Sequence, residues 1–521
     1  MELINKMSIK EYFLRTAKRL KNIDKKQIAE WFLNEGYYPE YYVLPPCFQV
    51  VKLELNKKPY YNLKKLEREK IITISHPKSL LTSRIYGIIH PMHYHDIVYH
   101  IIRNWNTIVN HIFRKNLKIF SYSFPIQIDK KSEGGISNLR TGRMIYEWIK
   151  MAEKDLIAES YKYNFLIHAD ITNFYNSIYT HSISWALHGR DRAFKDKNKY
   201  KYIGTKIDKL AQYANDARTS GIPVGPAISD LIAEIILARV DRAVSKKLNN
   251  IDFIGTRFKD DYRILCNSEE DAKKILKVLS EELFEYNLII SEQKTKIHKL
   301  PDGLYRQHIR EYHFYSLKDK EKITFKDFEL TLLKVLDIHK TYPGTSILEK
   351  FFSELYDNDN KGKEKNLKIQ FSSNNKNKDE RYKQILKAIS LLMLVKRESP
   401  KTLCYVLAIC EEIYIKYHES FRDLKQYMEN LLKSEIKKAS DKKSVFELVW
   451  LVFFYQYLNL DAIDFSEFID KELIKNEFLK SVISNEQIFF NKYKDIQLFQ
   501  SIKYLKPRTL SKRLAIFRSD K

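Results

Sequence analysis

Phe258-Lys259-Asp260-Asp261-Tyr262 is the stretch on which the fold turns. It lies between two strand-sized runs, Ile251–Phe258 and Tyr262–Cys266, and reads as the tip of a hairpin. Adjacent carboxylates at such a tip repel each other, so a cation must offset them or water must screen them. A solvated acidic turn is one reading. Against it, Asp-Asp does not favour the φ > 0 geometry of a tight turn as Asn-Gly does, and the flanks are apolar and aromatic. Those features tilt the reading toward a metal site.

Upstream, His168-Ala169-Asp170-Ile171-Thr172-Asn173-Phe174-Tyr175 puts Asp170 where the apolar run Phe165–Ala169 ends and a helical pattern, Asn173–Leu187, begins. Alone, Asp170 reads more readily as a cap of the next helix than as a site residue. Between the two acidic segments, Ser220-Gly221-Ile222-Pro223-Val224-Gly225-Pro226 has two glycines four apart, which lets backbone approach a flat ligand, and Pro226 suits the first turn of an apolar helix reaching about Leu248. An ordinary loop before a buried helix reads the same way. Downstream, Ser268 with Asp271 looks like a capping box for a helix to about Tyr286. Strands are expected at Leu288–Ile290 and near Ile297, flanking the basic loop Ser291–Lys296 with Lys294. The order β-α-α-β-β-α-β is a split βαβ arrangement over an antiparallel sheet.

Asp170 and Asp260, 90 residues apart, then fall on neighbouring strands. They make a pair of hard oxygen ligands for Mg²⁺, or Mn²⁺ in its place, with the Ile171 carbonyl as a further oxygen. Two such ions stabilise the attacking and leaving oxygens of an in-line phosphoryl displacement. Asp261 adds to the local field or serves the second ion.

In this order the four segments resemble the palm of a reverse transcriptase. Asp170-Ile-Thr-Asn-Phe-Tyr is similar to the family's first carboxylate motif, Gly221–Ser229 to its glycine/proline motif, Phe258-Lys-Asp-Asp to its aromatic-x-Asp-Asp motif, and Lys294-Thr295 to its Lys-Thr loop. The likeness covers roughly Ile71–Lys299. It implies that Asp170, Asp260 and Asp261 are catalytic. Tyr175 would be the gate that rejects a ribose 2′-hydroxyl, Gly225 and Lys294 would lie at the nucleotide, and Phe258, Lys259 and Gly221 at the nucleic acid. Two departures stand out: Val224 replaces the usual Gln before Gly225, and Phe258 the usual Tyr. The wording resembles most the bacterial abortive-infection (Abi-type) and "unknown group" defence reverse transcriptases. That likeness implies cytoplasmic homo-oligomers that protect against phage. They make single-stranded DNA from deoxynucleoside triphosphates, either protein-primed without a template or copying a partner non-coding RNA. A conventional retron- or intron-type enzyme and a non-catalytic RNA-binding scaffold are the alternatives.

Composition agrees with a polyanionic partner. The 521 residues hold 91 Lys and Arg against 66 Asp and Glu, a net charge of +25, yet 44% are hydrophobic, so the chain can build a core. Its four cysteines are scattered, without a CxxC. The longest apolar runs, such as Leu448–Tyr455, fall well short of the ~18–20 residues of a bilayer span, and no signal-peptide core opens the chain. An N-terminal extension (1–70), fingers and palm (71–330) and a helical-repeat-like all-α domain (331–521) are expected, an α+β architecture with helices at Lys383–Val395, Thr402–Glu419, Lys443–Leu458 and Glu472–Val482, and a flexible Asp357–Asp379 loop.

Several residues are ambiguous. Arg140 and Arg143 suit bidentate contact with a triphosphate, or a solvated helix start. His90, His93, His95 and His100 cluster around Pro91 without a common zinc spacing. The basic run Arg190–Lys209, with Phe194, Tyr200 and Tyr202, suits single-stranded nucleic acid, or an oligomer contact. Tyr12, Tyr37, Tyr38, Tyr41 and Tyr42 are candidate priming hydroxyls, each also an ordinary packing residue.

Overall fold

A five-stranded sheet, in the order β3-β5-β6-β4-β7, organises the first half of the chain. The computed structural model describes residues 9–78, 82–126, 156–356, 367–372, 378–490 and 495–514. Strands β1 (Ile72–Pro77) and β2 (Ser83–Ile88) form a two-stranded sheet of their own. The five-stranded sheet comprises β3 (Ile119–Ser121), β4 (Phe165–Asp170), β5 (Phe253–Phe258), β6 (Asp261–Cys266) and β7 (Lys296–Lys299). Its central pairs are antiparallel, with Asp170 opposite Asp261 and Phe258 opposite Asp261 at the tip of the β5–β6 hairpin. Parallel pairing of β3 with β5 makes the sheet mixed rather than purely antiparallel.

Several elements differ from expectation for local reasons. The helical pattern after Asp170 breaks into Phe174–Ser177 and His181–His188, because Tyr179 bridges Ser220 of the glycine/proline loop between them. Leu288–Ile290 is not a strand; only Ile290 makes a single bridge, opposite Ile171. The long helix Ala227–Lys247 is buried on most sides, and Ser268 caps Glu269–Phe284 by accepting from Asp271 N and donating to its Oδ2.

The chain divides into two compact units. The first holds residues 1–39, 53–73 and 87–305. Its first two helices are part of its core: Trp105 Nε1 donates to the Leu20 carbonyl at 2.8 Å and the Tyr94 hydroxyl to the Phe32 carbonyl at 2.8 Å.

The second unit holds residues 40–52, 74–86 and 306–521. Its expected helices are seen as Lys378–Glu398, Leu403–Tyr417 and Val445–Tyr457, with the fourth split into Lys471–Ile474 and Glu477–Ser484. Phe325–Thr341, Ile347–Glu354 and Asp423–Asp441 add to them. It is not wholly α-helical: Ile323–Thr324 and Ile369–Gln370 pair as short parallel strands. The remainder of the expected Asp357–Asp379 loop lies largely outside the described residues. The 40–52 segment runs through this unit's core. Phe48 packs its ring against Phe478, Phe489 and Phe499, and Trp450 Nε1 donates to the Val43 carbonyl.

Candidate active site

Side chains alternate between the two faces of a strand, and directly opposed residues share a face. Arg257 and Tyr262 are opposed, and both turn to the long helix, where they meet Glu234 and Asp241. One position along, Phe258, Asp261 and Asp170 turn to the other face. The register therefore gathers the carboxylates away from the helix that buttresses the sheet. Asp170, Asp260 and Asp261 are all half-buried.

Ile171 faces Ile290 in a bridge whose hydrogen bonds run through its neighbours: Ser291 N donates to the Asp170 carbonyl at 2.7 Å and Thr172 N to the Ile289 carbonyl at 2.8 Å. The Ile171 carbonyl thus points to the opposite edge, on the side of the hairpin tip. Burial, and then the charge of Asp170, raises the Asp260 carboxyl above its usual range. Lys294 answers this negative field: its Nζ donates to Asp170 Oδ1 at 2.8 Å from an exposed stem.

The hairpin turns through Lys259 and Asp260, and the left-handed position, with φ of 54°, falls on Lys259 rather than on either Asp. The tip is pinned on both sides. Lys259 N donates to Ser123 Oγ at 2.8 Å, and Arg257 Nη1 donates to the Lys259 carbonyl at 3.1 Å. Lys259 Nζ donates to Asp230 Oδ1 at 3.0 Å, and the same oxygen accepts from the Tyr175 hydroxyl. The Tyr175 hydroxyl keeps its proton, because burial and then the Asp230 charge push its pKa well up.

Beneath the tip, Arg257 is fully buried and donates to Glu234 through Nη1 and Nη2, at 2.8 and 3.1 Å, and to Asp241 through Nε at 2.9 Å. Burial works against its charge, but Asp241 and Glu234 outweigh it. Ser121 and Ser123 donate to the two Glu234 oxygens at 2.6 and 2.5 Å, completing the acceptor set.

The glycine/proline loop lies along the segment after Asp170. Ile222 N donates to the Tyr175 carbonyl at 3.0 Å and Gly221 N to the Ile178 carbonyl at 2.8 Å. Gly221 has φ of 83°, and a Cβ there would meet the Asn176 carbonyl oxygen at 3.3 Å, so both conformation and space call for glycine. Gly225, with φ of 125°, precedes Pro226 at the start of the long helix.

Asp170, Ile171, Tyr175, Asp260, Asp261, Lys259 and Lys294 are thus gathered around one sheet edge and hairpin tip. Arg140 and Arg143 lie outside the described residues. The histidine cluster is built into packing. His95 Nδ1 donates to Asp96 Oδ1 at 2.8 Å while its Nε2 accepts from Asn56 N at 2.9 Å, which fixes one neutral tautomer. Among the candidate priming tyrosines, Tyr37 and Tyr38 are buried, Tyr41 and Tyr42 half-buried, and the Tyr12 side chain lies outside the described residues. In the basic run, Phe194 is exposed and Tyr202 stacks on His188. Asp230, Glu234, Asp241 and Arg257 were not singled out from sequence. Their signal was present as three carboxylates, Asp230, Glu234 and Asp241, on a helix whose pattern is apolar on most sides, and carboxylates must find partners when buried.

Residues 101–326 match the family model for reverse transcriptase (RNA-dependent DNA polymerase). That segment is a reverse-transcriptase domain, and it makes the protein a nucleotidyltransferase. Among solved structures, the chain is similar to apo telomerase from Candida tropicalis, at 12% identity over 71% of this chain and 69% of that one, with a TM-score of 0.32. It is similar also to telomerase from Candida albicans in complex with a TWJ fragment of telomeric RNA, at 10% identity over 73% of this chain and 65% of that one, with a TM-score of 0.30. The chain therefore spans about two thirds of the length of these two structures. No curated protein matches it.

Domains of this kind use divalent metal ions, as a rule Mg²⁺. Among the described residues, no group of three or more His, Cys, Asp or Glu side chains is arranged to hold a metal. Two carboxylates and a main-chain oxygen suit Mg²⁺ all the same, since that ion keeps waters and takes the rest of its oxygens from substrate phosphates. The fit shows in the charge: the field of Asp170 opposes ionisation of Asp260, and an ammonium already answers it at Asp170 Oδ1.

Proposed function

We propose that this protein is a Mg²⁺-dependent DNA polymerase of antiphage defence, of the abortive-infection type, with fingers and palm over 71–330 and a helical domain over 331–521. It primes on a hydroxyl of its own protein without a template, or copies a partner non-coding RNA. The observation that carries the polymerase reading is the register of β4 against β6, with Asp170 opposite Asp261 and Asp260 beside them at the hairpin tip. The motif wording around Asp170 and Gly221–Ser229 supports the defence branch. The +25 charge supports a nucleic-acid product, and a cytoplasmic homo-oligomer completes the reading.

In this reading Asp170, Asp260 and the Ile171 carbonyl hold the metal, and Asp261 adds to the field. Bound there, Mg²⁺ neutralises the triphosphate and lowers the pKa of the attacking hydroxyl. Lys294 exchanges Asp170 for a substrate phosphate, as its exposed stem allows. Gly221 and Gly225 let the backbone come close to nucleic acid and nucleotide. The Tyr175 ring excludes a ribose 2′-hydroxyl. Phe258 and Lys259 form the floor beneath the primer end.

The test incubates purified protein with Mg²⁺ and each labelled deoxynucleotide, without primer or template, and runs a denaturing gel. Label migrating with the protein, and lost in Asp260→Ala, is expected. Activity only with added RNA and primer would replace this reading with a conventional reverse transcriptase. RNA binding without any incorporation would leave a scaffold.

A further inference from the structure

The Tyr175 hydroxyl is not directed to open solvent. It donates to Asp230 Oδ1, on the first turn of the long helix, and Lys259 Nζ donates to that same oxygen at 3.0 Å. The ammonium lies 5.9 Å from the centre of the Tyr175 ring. Asp230 is buried, so its charge needs both donors. The position of Lys259 adds a second argument. It occupies the left-handed turn of the hairpin, where an L-residue with a side chain costs ~1–2 kcal/mol and glycine or asparagine would fit more easily. A lysine is kept there, and its side chain reaches Asp230.

The backbone of Tyr175 is held as well, since its carbonyl accepts from Ile222 N. Lys259 is in turn fixed at N by Ser123 and at its carbonyl by Arg257. Ring, helix start and hairpin tip therefore share one polar chain that ends beside Asp260. A ring anchored at its far end cannot swing aside for a larger sugar, whereas a ring held only at Cβ can.

We propose that Asp230 and Lys259 are a positioning pair that fixes the Tyr175 ring against the nucleotide sugar and so sets how strictly ribonucleotides are rejected. This rests on the reading of Tyr175 as the sugar gate.

The test measures kcat and KM for deoxy- and ribonucleotide incorporation in the full-length protein and in Tyr175→Phe, Tyr175→Ala, Asp230→Asn, Asp230→Ala and Lys259→Met. Tyr175→Phe keeps the ring and deletes only the anchor, so it does not depend on surviving the loss of a buried charge. The expected result is a ribo-to-deoxy ratio of kcat/KM raised about tenfold in Tyr175→Phe, the scale on which a pocket registers one small group. The change falls mainly in the ribonucleotide KM. Asp230→Ala and Lys259→Met follow in the same direction, Asp230→Asn less so because its amide oxygen still accepts. Tyr175→Phe combined with Lys259→Met exceeds neither by much, since both break one chain. An unchanged ratio in Tyr175→Phe, beside a raised ratio in Tyr175→Ala, overturns the positioning pair and leaves the gate. A wild-type protein that incorporates neither sugar overturns the gate and the pair together.

Discussion

Lys294 Nζ sits 2.8 Å from Asp170 Oδ1, joining a loop lysine to a carboxylate 124 residues earlier in the chain. The pair is only partly shielded, with side-chain exposures of 57% and 21%, so its own contribution to stability is small. With Asp170 as the metal ligand proposed above, the consequence is competition: Lys294 occupies an oxygen that the cation would take.

Lys294→Met is therefore expected to move two quantities in opposite directions. Divalent-ion binding to the free protein tightens, as read by Mn²⁺ titration, because Asp170 loses its competing ammonium. Incorporation falls on the order of 10²-fold, the scale of a lost proton donor or charge at the phosphates. Lys294→Arg keeps the charge and restores part of the rate. Weaker ion binding in Lys294→Met would show that the lysine supports the carboxylate instead of competing for it.

Arg257 carries the hairpin from below. Removing one member of a buried ion pair leaves an unpaired charge, at a cost of about 3–5 kcal/mol. Arg257→Met strands Glu234 and Asp241 together in the core, and urea unfolding of the first unit should shift by that amount. Glu234→Gln, which keeps its acceptor oxygen, is expected to cost less. Equal stability of Arg257→Met and wild type would mean that Ser121, Ser123 and Tyr262 satisfy both carboxylates unaided.

The placement of the carboxylates was legible in the sequence because it rests on local patterns: Asp170 at the end of an apolar run, then Asp260-Asp261 between two strand-sized runs. What holds them was not. Arg257 stands directly before Phe258, yet nothing local tells whether it faces solvent or a helix; only the register, with Arg257 opposite Tyr262, decides. Leu288–Ile290 has a strand's composition but only one bridging partner, which composition cannot show. Phe325–Thr341 and Asp423–Asp441 escaped because charged residues dilute their apolar stripe, and tertiary packing supplies what the pattern lacks.

Glu411 gives the second unit an unusual response to pH. Its pKa is raised to about 7, chiefly by burial. The bonding agrees. Tyr457 has one hydroxyl proton, yet its oxygen lies near both Glu411 Oε1 and the Lys506 carbonyl, at 2.8 Å from the latter. A protonated Glu411 donates to Tyr457, which then donates onward to Lys506. Since the folded pKa lies above the ordinary 4.5, the folded state binds the extra proton between those values. Stability from this group is present below about pH 4.5 and is lost as pH rises through about 7, by about 3 kcal/mol in all. Glu411→Gln mimics the protonated form. It should flatten this fall between pH 5 and 8 and be the more stable protein at pH 8, as read by urea midpoints. A wild-type slope that survives in Glu411→Gln would assign the effect to another group.

Phe48 offers the clearest test of how the second unit is completed. It is 3% exposed, and its ring lies 5.4 Å from that of Phe478 and 5.3 Å from that of Phe499, residues more than 400 positions away. Beside it, Gln500 N donates to the Cys47 carbonyl at 2.8 Å, and Lys52 exchanges hydrogen bonds with Gln497 at 2.9 Å each way. Residues 40–52 thus supply core and backbone partners that the C-terminal residues cannot supply to one another. Phe48→Ala should cost about 3–5 kcal/mol, as for other buried aromatic truncations. A fragment of residues 306–521 should show weakened near-ultraviolet circular dichroism and low unfolding cooperativity. Adding back a peptide spanning residues 40–52 should raise its melting temperature in a concentration-dependent way, because a ligand of the folded state stabilises by mass action. A Phe48→Ala peptide should not. A fragment that melts cooperatively at the full-length temperature without the peptide would show that the C-terminal residues close their own core.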